Sequence, residues 1–238
     1  MDEHGRLSRR RFIGAVGAAA GGSLVGGELL TGTALGAAAR RPATPNAALA
    51  ALMEGNRRYR RNEWERRDYS PVGERRASSQ KPFAAVLACA DSRVSPSLVF
   101  DVERGNVFSV QVAGNGVDPG TLGSLEYAVA VLRVPLVMVL GHSDCGAVRS
   151  AIDVVAGRTS FPPSTFGAIG AVVDTVVPAI ESVPAGERTI DRCVATNANV
   201  QAQALARTGP ILSTAVAAGR LRVVGAVYEI ASGRVRLA

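Results

Sequence analysis

Leu136-Val137-Met138-Val139-Leu140-Gly141-His142-Ser143-Asp144-Cys145-Gly146 decides how this chain is read. Its first five residues form an unbroken apolar run of strand length. The run lacks the alternation of a strand with one wet face, so it reads as a strand covered on both sides. It leads into a histidine and, three residues later, a cysteine. A second run, Phe83-Ala84-Ala85-Val86-Leu87-Ala88, ends the same way in Cys89-Ala90-Asp91-Ser92-Arg93. Open α/β sheets bind ligands at the carboxyl ends of their strands. Cys89, His142 and Cys145 can therefore meet although they are far apart in sequence. Two thiolates and one imidazole are three protein ligands for a tetrahedral Zn2+, one per chain, with the fourth position left for water or substrate. A His-x-x-Cys alone is a weak signal, because a buried histidine near an inert cysteine is commoner. The second cysteine at a second strand end gives it weight.

Apolar runs over 107–113 and 221–228 predict further strands, and Ser232-Gly233 predicts a turn that returns Val235-Arg236-Leu237 as an edge strand. Between them lie helical stretches. One starts at Asp118-Pro119, with proline in the first turn, and runs to Arg133 with Leu122, Leu125, Val129 and Leu132 on one stripe. Others are predicted over 147–156, 168–180, 190–207 and 210–218. Residues 47–57 predict a helix after the Pro42/Pro45 linker, and a polar, irregular arm runs on to Lys81. Strands alternating with helices define the class as α/β, a mostly parallel sheet core flanked by helices, with an N-terminal helical arm.

The first residues are a different kind of sequence. Ser8-Arg9-Arg10-Arg11-Phe12-Ile13 matches the twin-arginine export pattern, a Gly/Ala-rich apolar stretch follows over 13–38, and Ala37-Ala38-Ala39 offers a small-residue cleavage site. The stretch is long enough for a membrane anchor. Glu28 within it, its glycines and its Ala-x-Ala end favour a cleaved signal. The expected organisation is a signal peptide over 1–39, a linker over 40–46 and one catalytic domain over 47–238. Use of the twin-arginine machinery implies export, to a periplasmic or extracellular place, or tethering to the membrane if the leader is retained.

The chain is basic, with 27 Lys and Arg against 20 Asp and Glu, and all but Lys81 of the basic residues are arginine. Many lie between Arg57 and Arg76, interleaved with Glu63, Glu65, Asp68 and Glu74. Runs of mixed sign are solvated helix faces or subunit contacts, and an exported protein meets little nucleic acid, so no nucleic-acid partner is expected. The cysteine count is odd. Two are claimed by the metal, and Cys193, in a helical stretch, reads as a small buried apolar residue.

Beside Cys89, the chemistry points to a dyad. Arg93 would hold Asp91 ionised and away from the metal, and Asp91 would accept a hydrogen bond from hydroxide on zinc and orient it. The alternative is a surface ion pair of little consequence. Two thiolates donate more charge than imidazoles, so the bound water should be less acidic than in a three-histidine site and activity should rise toward alkaline pH.

Together, the two metal segments resemble those of the β-class carbonic anhydrases. So do Leu49-x-x-Leu52-Met53-Glu54-Gly55-Asn56-Arg57, Ala113-Gly114-Asn115, Leu122-Gly123-Ser124-Leu125-Glu126-Tyr127-Ala128 and Val223-Val224-Gly225-Ala226-Val227-Tyr228. The resemblance spans about residues 49–235. It implies reversible hydration of CO2 to bicarbonate and a proton by zinc-bound hydroxide. It implies that Cys89, His142 and Cys145 ligate zinc and that Asp91 and Arg93 form the catalytic dyad. By position Gln80 matches a glutamine that hydrogen-bonds the bound anion, and Phe108, Ala113 and Tyr127 match residues lining a narrow apolar pocket. Read without the family, these four are ordinary loop, core and helix residues. The resemblance also implies a homodimer or larger homo-oligomer, with pocket residues from both chains. Two other activities use the same residues: hydrolysis of carbonyl sulfide or carbon disulfide, and a non-enzymatic zinc- or bicarbonate-binding module. An intact Asp91, Arg93 and Gln80 argue against the last, since a storage site needs no positioned base.

Two positions depart from the pattern. Gln111 stands where many relatives carry arginine, which puts a polar contact beside the pocket in question. Val86 stands where relatives inhibited by bicarbonate at a second site carry tryptophan. Steady-state kinetics are therefore expected to show bicarbonate acting only at the catalytic site. Inhibition through a non-overlapping site would contradict this.

Overall fold

The computed structural model describes residues 41–67 and 80–238. The expected signal peptide, Arg40 and residues 68–79 of the polar arm lie outside the described residues. Five strands form one sheet in the order β2-β1-β3-β4-β5. β1 (Ala84–Ala88), β2 (Val107–Gln111), β3 (Leu136–His142) and β4 (Arg222–Glu229) are parallel, and β5 (Arg234–Leu237) closes one edge antiparallel to β4. This is the expected mostly parallel α/β sheet.

Every residue of β1 and β3 is buried, which is why their sequences do not alternate. Val86, Met138, Leu140 and Tyr228 face one side, where helix α1 (Pro45–Arg61) lays Ala48 and Leu52 against them. Ala85, Leu87, Val137 and Val139 face the other, against Leu125 of α3 (Pro119–Ala130), Ala198 and Leu205 of α8 (Ile190–Arg207) and Leu212 of α9 (Ile211–Ala217). Each fully buried leucine contributes about 1.5–3 kcal/mol. A third cluster gathers at the carboxyl ends of the strands. There Cys89, Cys145 and Val227 meet α4 (Gly146–Val155), α6 (Ile169–Asp174) and α7 (Val177–Glu181). Two four-residue helices, α2 (Pro96–Val99) and α5 (Pro163–Phe166), complete the set among the described residues.

α1 begins two residues earlier than expected, because Thr44 accepts a hydrogen bond from the Ala47 amide and Pro45 fits the first turn. Its Gly55 lies on the carbonyl of Phe100 so closely that a Cβ there would sit 1.7 Å from that oxygen. Next to it Asn56 is buried and fully used. It donates to the carbonyls of Val99 (3.0 Å) and Gly233 (2.8 Å) and accepts from Val235 N (2.9 Å), so it ties α1 to β5.

α3 starts as expected, with Asp118 and Thr121 forming a capping box. It ends at Ala130 rather than Arg133. Arg133 takes a positive φ ahead of Pro135, and the Val134 amide folds back to Ala128 O. Its most buried side chains are Thr121, Leu125 and Ala128, with Leu122 and Val129 on the flanks.

The single helix expected over 168–180 is two, α6 and α7. Pro178 has no N–H to return to Asp174. The carbonyl of Thr175 is taken by the side chain of Gln201 (2.7 Å), far away in sequence.

One buried ionic knot lies outside the sheet. The Asp101 carboxylate is fully buried and meets Arg58 Nε at 2.6 Å and also Arg67 Nη1. Burial alone would raise its pKa, but the two guanidiniums outweigh that and hold it lowered. A pKa below the unfolded value of about 3.9 stabilises the fold above that pH and stops doing so as pH falls through the folded value. Asp101→Asn is expected to cost about 3 kcal/mol at neutral pH. The deficit should shrink on acidification below about pH 4, measured by urea unfolding across pH. A deficit that is constant with pH would contradict the ionic account.

Candidate metal centre

β1 and β2 continue side by side past their ends, through hydrogen bonds from Val112 N to Ala88 O (3.1 Å) and from Ala90 N to Val112 O (3.2 Å). On the other side of β1, Ala88 pairs with Leu140, so Cys89 comes level with the end of β3, where His142 is the last residue. From β1 the chain's next strand lies on one side and β3 on the other. This reversal opens a crevice at the carboxyl ends of the strands. Cys145, three residues on, stands at the N-cap position of α4.

Sequence separation therefore closes in space. The ligand atoms of Cys89, His142 and Cys145 lie within 4.8 Å of one another, and all three side chains are buried. The sulfurs are 4.0 Å apart. That is far beyond a disulfide, and close to the roughly 3.8 Å set by tetrahedral angles and a Zn–S bond of about 2.3 Å. His142 Nδ1 is 3.0 Å from the carbonyl of Ser143, which assigns its proton to that side. Nε2 is left buried with no hydrogen-bond partner. A buried lone pair aimed at two sulfurs is costly unless a cation receives it. The residues fit zinc on this ground.

The sulfurs do not ionise independently. Cys89 is pulled well down, first by the hydrogen bond from Cys145 and then by the Gly114 amide, whose nitrogen lies 3.3 Å from its sulfur. Cys145 is pushed up, because its ionisation would put a second charge beside Cys89 in a buried place. Gly114 is needed for this contact. Its φ is +73°, and a Cβ there would meet Val176 and Ala147 at about 3 Å. Asn197 fixes it from behind, donating to Gly114 O at 2.9 Å.

Asp91 stands at the mouth. Arg93 holds it from Nε (2.9 Å) and Nη2 (2.7 Å), and the Arg93 amide adds a third bond at 2.9 Å. This pairing keeps Asp91 well below the usual carboxylate range. Asp91 Oδ2 is 4.0 Å from His142 Nε2. Gln111, the departure from the family pattern, donates its side-chain amide to the carbonyls of Cys89 and Val94. The sequence marked its position but not this role.

The four pocket residues divide. Ala113 is exposed in the turn Ala113–Asn115, immediately before the amide that meets Cys89. Phe108 and Tyr127 stand together, ring centroids 6.3 Å apart, but Phe108 pairs with Ala85, about 13 Å along the strand from Cys89. Exposed Gln80 precedes Lys81, whose amide bonds Gly105 O at the amino ends of β1 and β2. Within one chain, then, Gln80, Phe108 and Tyr127 are displaced toward the amino end of the sheet, away from the Cys/His/Cys cluster.

A family model described as carbonic anhydrase matches residues 84–235. The carbonic anhydrase of Mycolicibacterium smegmatis is 38% identical over 198 residues, covering 81% of this chain and 93% of that protein. Among solved structures, the Coccomyxa β-carbonic anhydrase in complex with acetazolamide is similar with a TM-score of 0.61 at 29% identity, over 79% of this chain and 85% of that one. The tetrameric β-carbonic anhydrases of Sordaria macrospora share the fold, with a TM-score of 0.59 at 23% identity, over 69% and 84%. Strands that deliver a Cys/His/Cys cluster to one end of a mostly parallel sheet are thus the frame of a known class of zinc lyase. The chain belongs to the β-class carbonic anhydrase family.

In the metal-free protein Cys89 is the most ionised of three buried thiols, since Cys193 is also pushed up by burial. Iodoacetamide at neutral pH should therefore alkylate Cys89 first, and stoichiometric zinc should suppress this. Peptide mapping that finds Cys193 modified first would contradict the assignment.

Proposed function

We propose that this protein catalyses the reversible hydration of CO2 to bicarbonate and a proton. The observation that carries the reading is the placement of Asp91, locked by Arg93 4 Å from the orphaned imidazole nitrogen of a buried Cys/His/Cys cluster. Zinc held by Cys89, His142 and Cys145 supplies Lewis-acid activation of water. Asp91, kept ionised, accepts a hydrogen bond from the attacking water and aims it at the carbon. Arg93 holds both oxygens of Asp91, so the carboxylate is oriented and is not free to turn to the metal.

Beyond the leader the sequence has one histidine, His142, and as a ligand it cannot carry protons. The proton released by each hydration leaves through water, an acidic or tyrosine side chain, and buffer.

CO2 is small and apolar and needs a dry wall. Ala113 lies on the same chain as the cluster. Phe108 and Tyr127, with Gln80 as donor to the bicarbonate product, can line the pocket only from a second copy, because their own chain carries them toward the other end of the sheet. This supports a homodimer as the working unit, and the tetrameric relatives of the same fold support assemblies of that kind. The twin-arginine pattern at residues 8–13 supports export by that machinery to a periplasmic or extracellular place, with membrane tethering if the leader stays.

Stopped-flow CO2 hydration by Asp91→Asn tests the reading. Zinc content should stay at one per chain while kcat/KM falls about 10- to 100-fold. Full activity in the variant, or an unaltered zinc-loaded protein that fails to hydrate CO2, would overturn it. In the second case the sulfur analogues of CO2 become the substrates to try.

A further inference from the structure

Gln111 is the last residue of β2, and its side chain does something its strand position does not require. One amide nitrogen donates to two backbone carbonyls of the neighbouring segment, Cys89 O at 3.1 Å and Val94 O at 3.0 Å. Those two carbonyls bracket the stretch that carries a metal ligand, Asp91 and Arg93. Inside the bracket, Val94 N donates to Asp91 O at 2.9 Å, and Arg93 N donates to Asp91 Oδ1 at 2.9 Å. The backbone bond from Ala90 N to Val112 O ties the start of the segment to the same strand. The loop is thus closed on itself by its own amides and fastened to the end of β2 by one backbone bond and one side chain.

We infer that Gln111 is a positioning residue that fixes the direction of the Asp91–Arg93 pair. A primary amide suits the task because its NH2 group carries two donors, one for each carbonyl. A carboxylate of the same length has none and would face both carbonyls with like partial charge. An aliphatic side chain of the same size would leave both carbonyls without a donor. The amide also adds no charge beside Arg93, whose side chain is half exposed and already committed to Asp91. The catalytic consequence rests on the proposed function, whereas the tether does not.

The test uses the zinc-loaded protein and three variants, Gln111→Leu, Gln111→Glu and Gln111→Arg. It reads amide hydrogen exchange over residues 90–95 alongside CO2 hydration. Loss of the donor in the Leu and Glu variants should speed exchange at Arg93 and Val94 by about tenfold or more, while amides of β1 and β3 keep their rates and show that the protein is folded. In the same variants kcat should fall about 10- to 100-fold with zinc content unchanged. Arginine, which restores donors at this position, should bring both readouts back toward those of the unaltered protein. Exchange and kcat within about twofold of the unaltered protein in both donor-free variants would overturn the inference, as would an arginine variant that behaves like leucine. If the unaltered protein hydrates no CO2, the functional reading fails, and the exchange rates still decide whether Gln111 is the tether.

Discussion

Everything else in this protein follows from placing two thiols and an imidazole nitrogen within 4.8 Å of one another and away from water. Such a group is unstable by itself. The first thiolate forms readily, but the second is opposed by the charge beside it, and His142 Nε2 has no hydrogen-bond partner. A divalent cation answers all three at once: it accepts both sulfurs and the lone pair, and it offsets the negative charge. The fold supplies the confinement. β1 and β3 are buried on both faces and leave little freedom in where Cys89 and His142 arrive.

The layers around the cluster serve the same end. Gly114 can bring its amide to the Cys89 sulfur only because its φ is positive, and Asn197 holds it there from α8. Gln201 reaches from one helix turn further on to the Thr175 carbonyl, beside the break at Pro178, and α7 packs beside the same cluster. On the far face, Gly55 lets α1 close on the Phe100 carbonyl, and Asn56 ties α1 to β5. The apolar contacts are interchangeable in kind, whereas these polar ones each require a particular residue.

This difference explains what could be read from the sequence. β1 and β3 were legible because full burial leaves unbroken apolar runs. The Cys/His/Cys cluster was legible because cysteine and histidine stand where such runs stop. Asp91 and Arg93 were legible because they follow Cys89 within a few residues. The division of α6 from α7 has a local signal in Pro178, whereas the hold of Gln201 on the Thr175 carbonyl, 26 residues away, has none. Neither has the tether from Gln111, whose partners are backbone carbonyls that carry no sequence signature. The positions of Gln80, Phe108 and Tyr127 matched a family pattern, but one chain's topology carries them away from the ligands they accompany.

On the proposed function, the buried cluster is the seat of catalysis through the metal it would hold. The most direct measurement removes the metal and returns it. The account predicts that CO2 hydration vanishes on chelation and recovers fully with one equivalent of zinc per chain, in step with loss of titratable Cys89 and Cys145 thiols. Hydration that persists without metal, or a fully zinc-loaded cluster that leaves CO2 untouched, would contradict it.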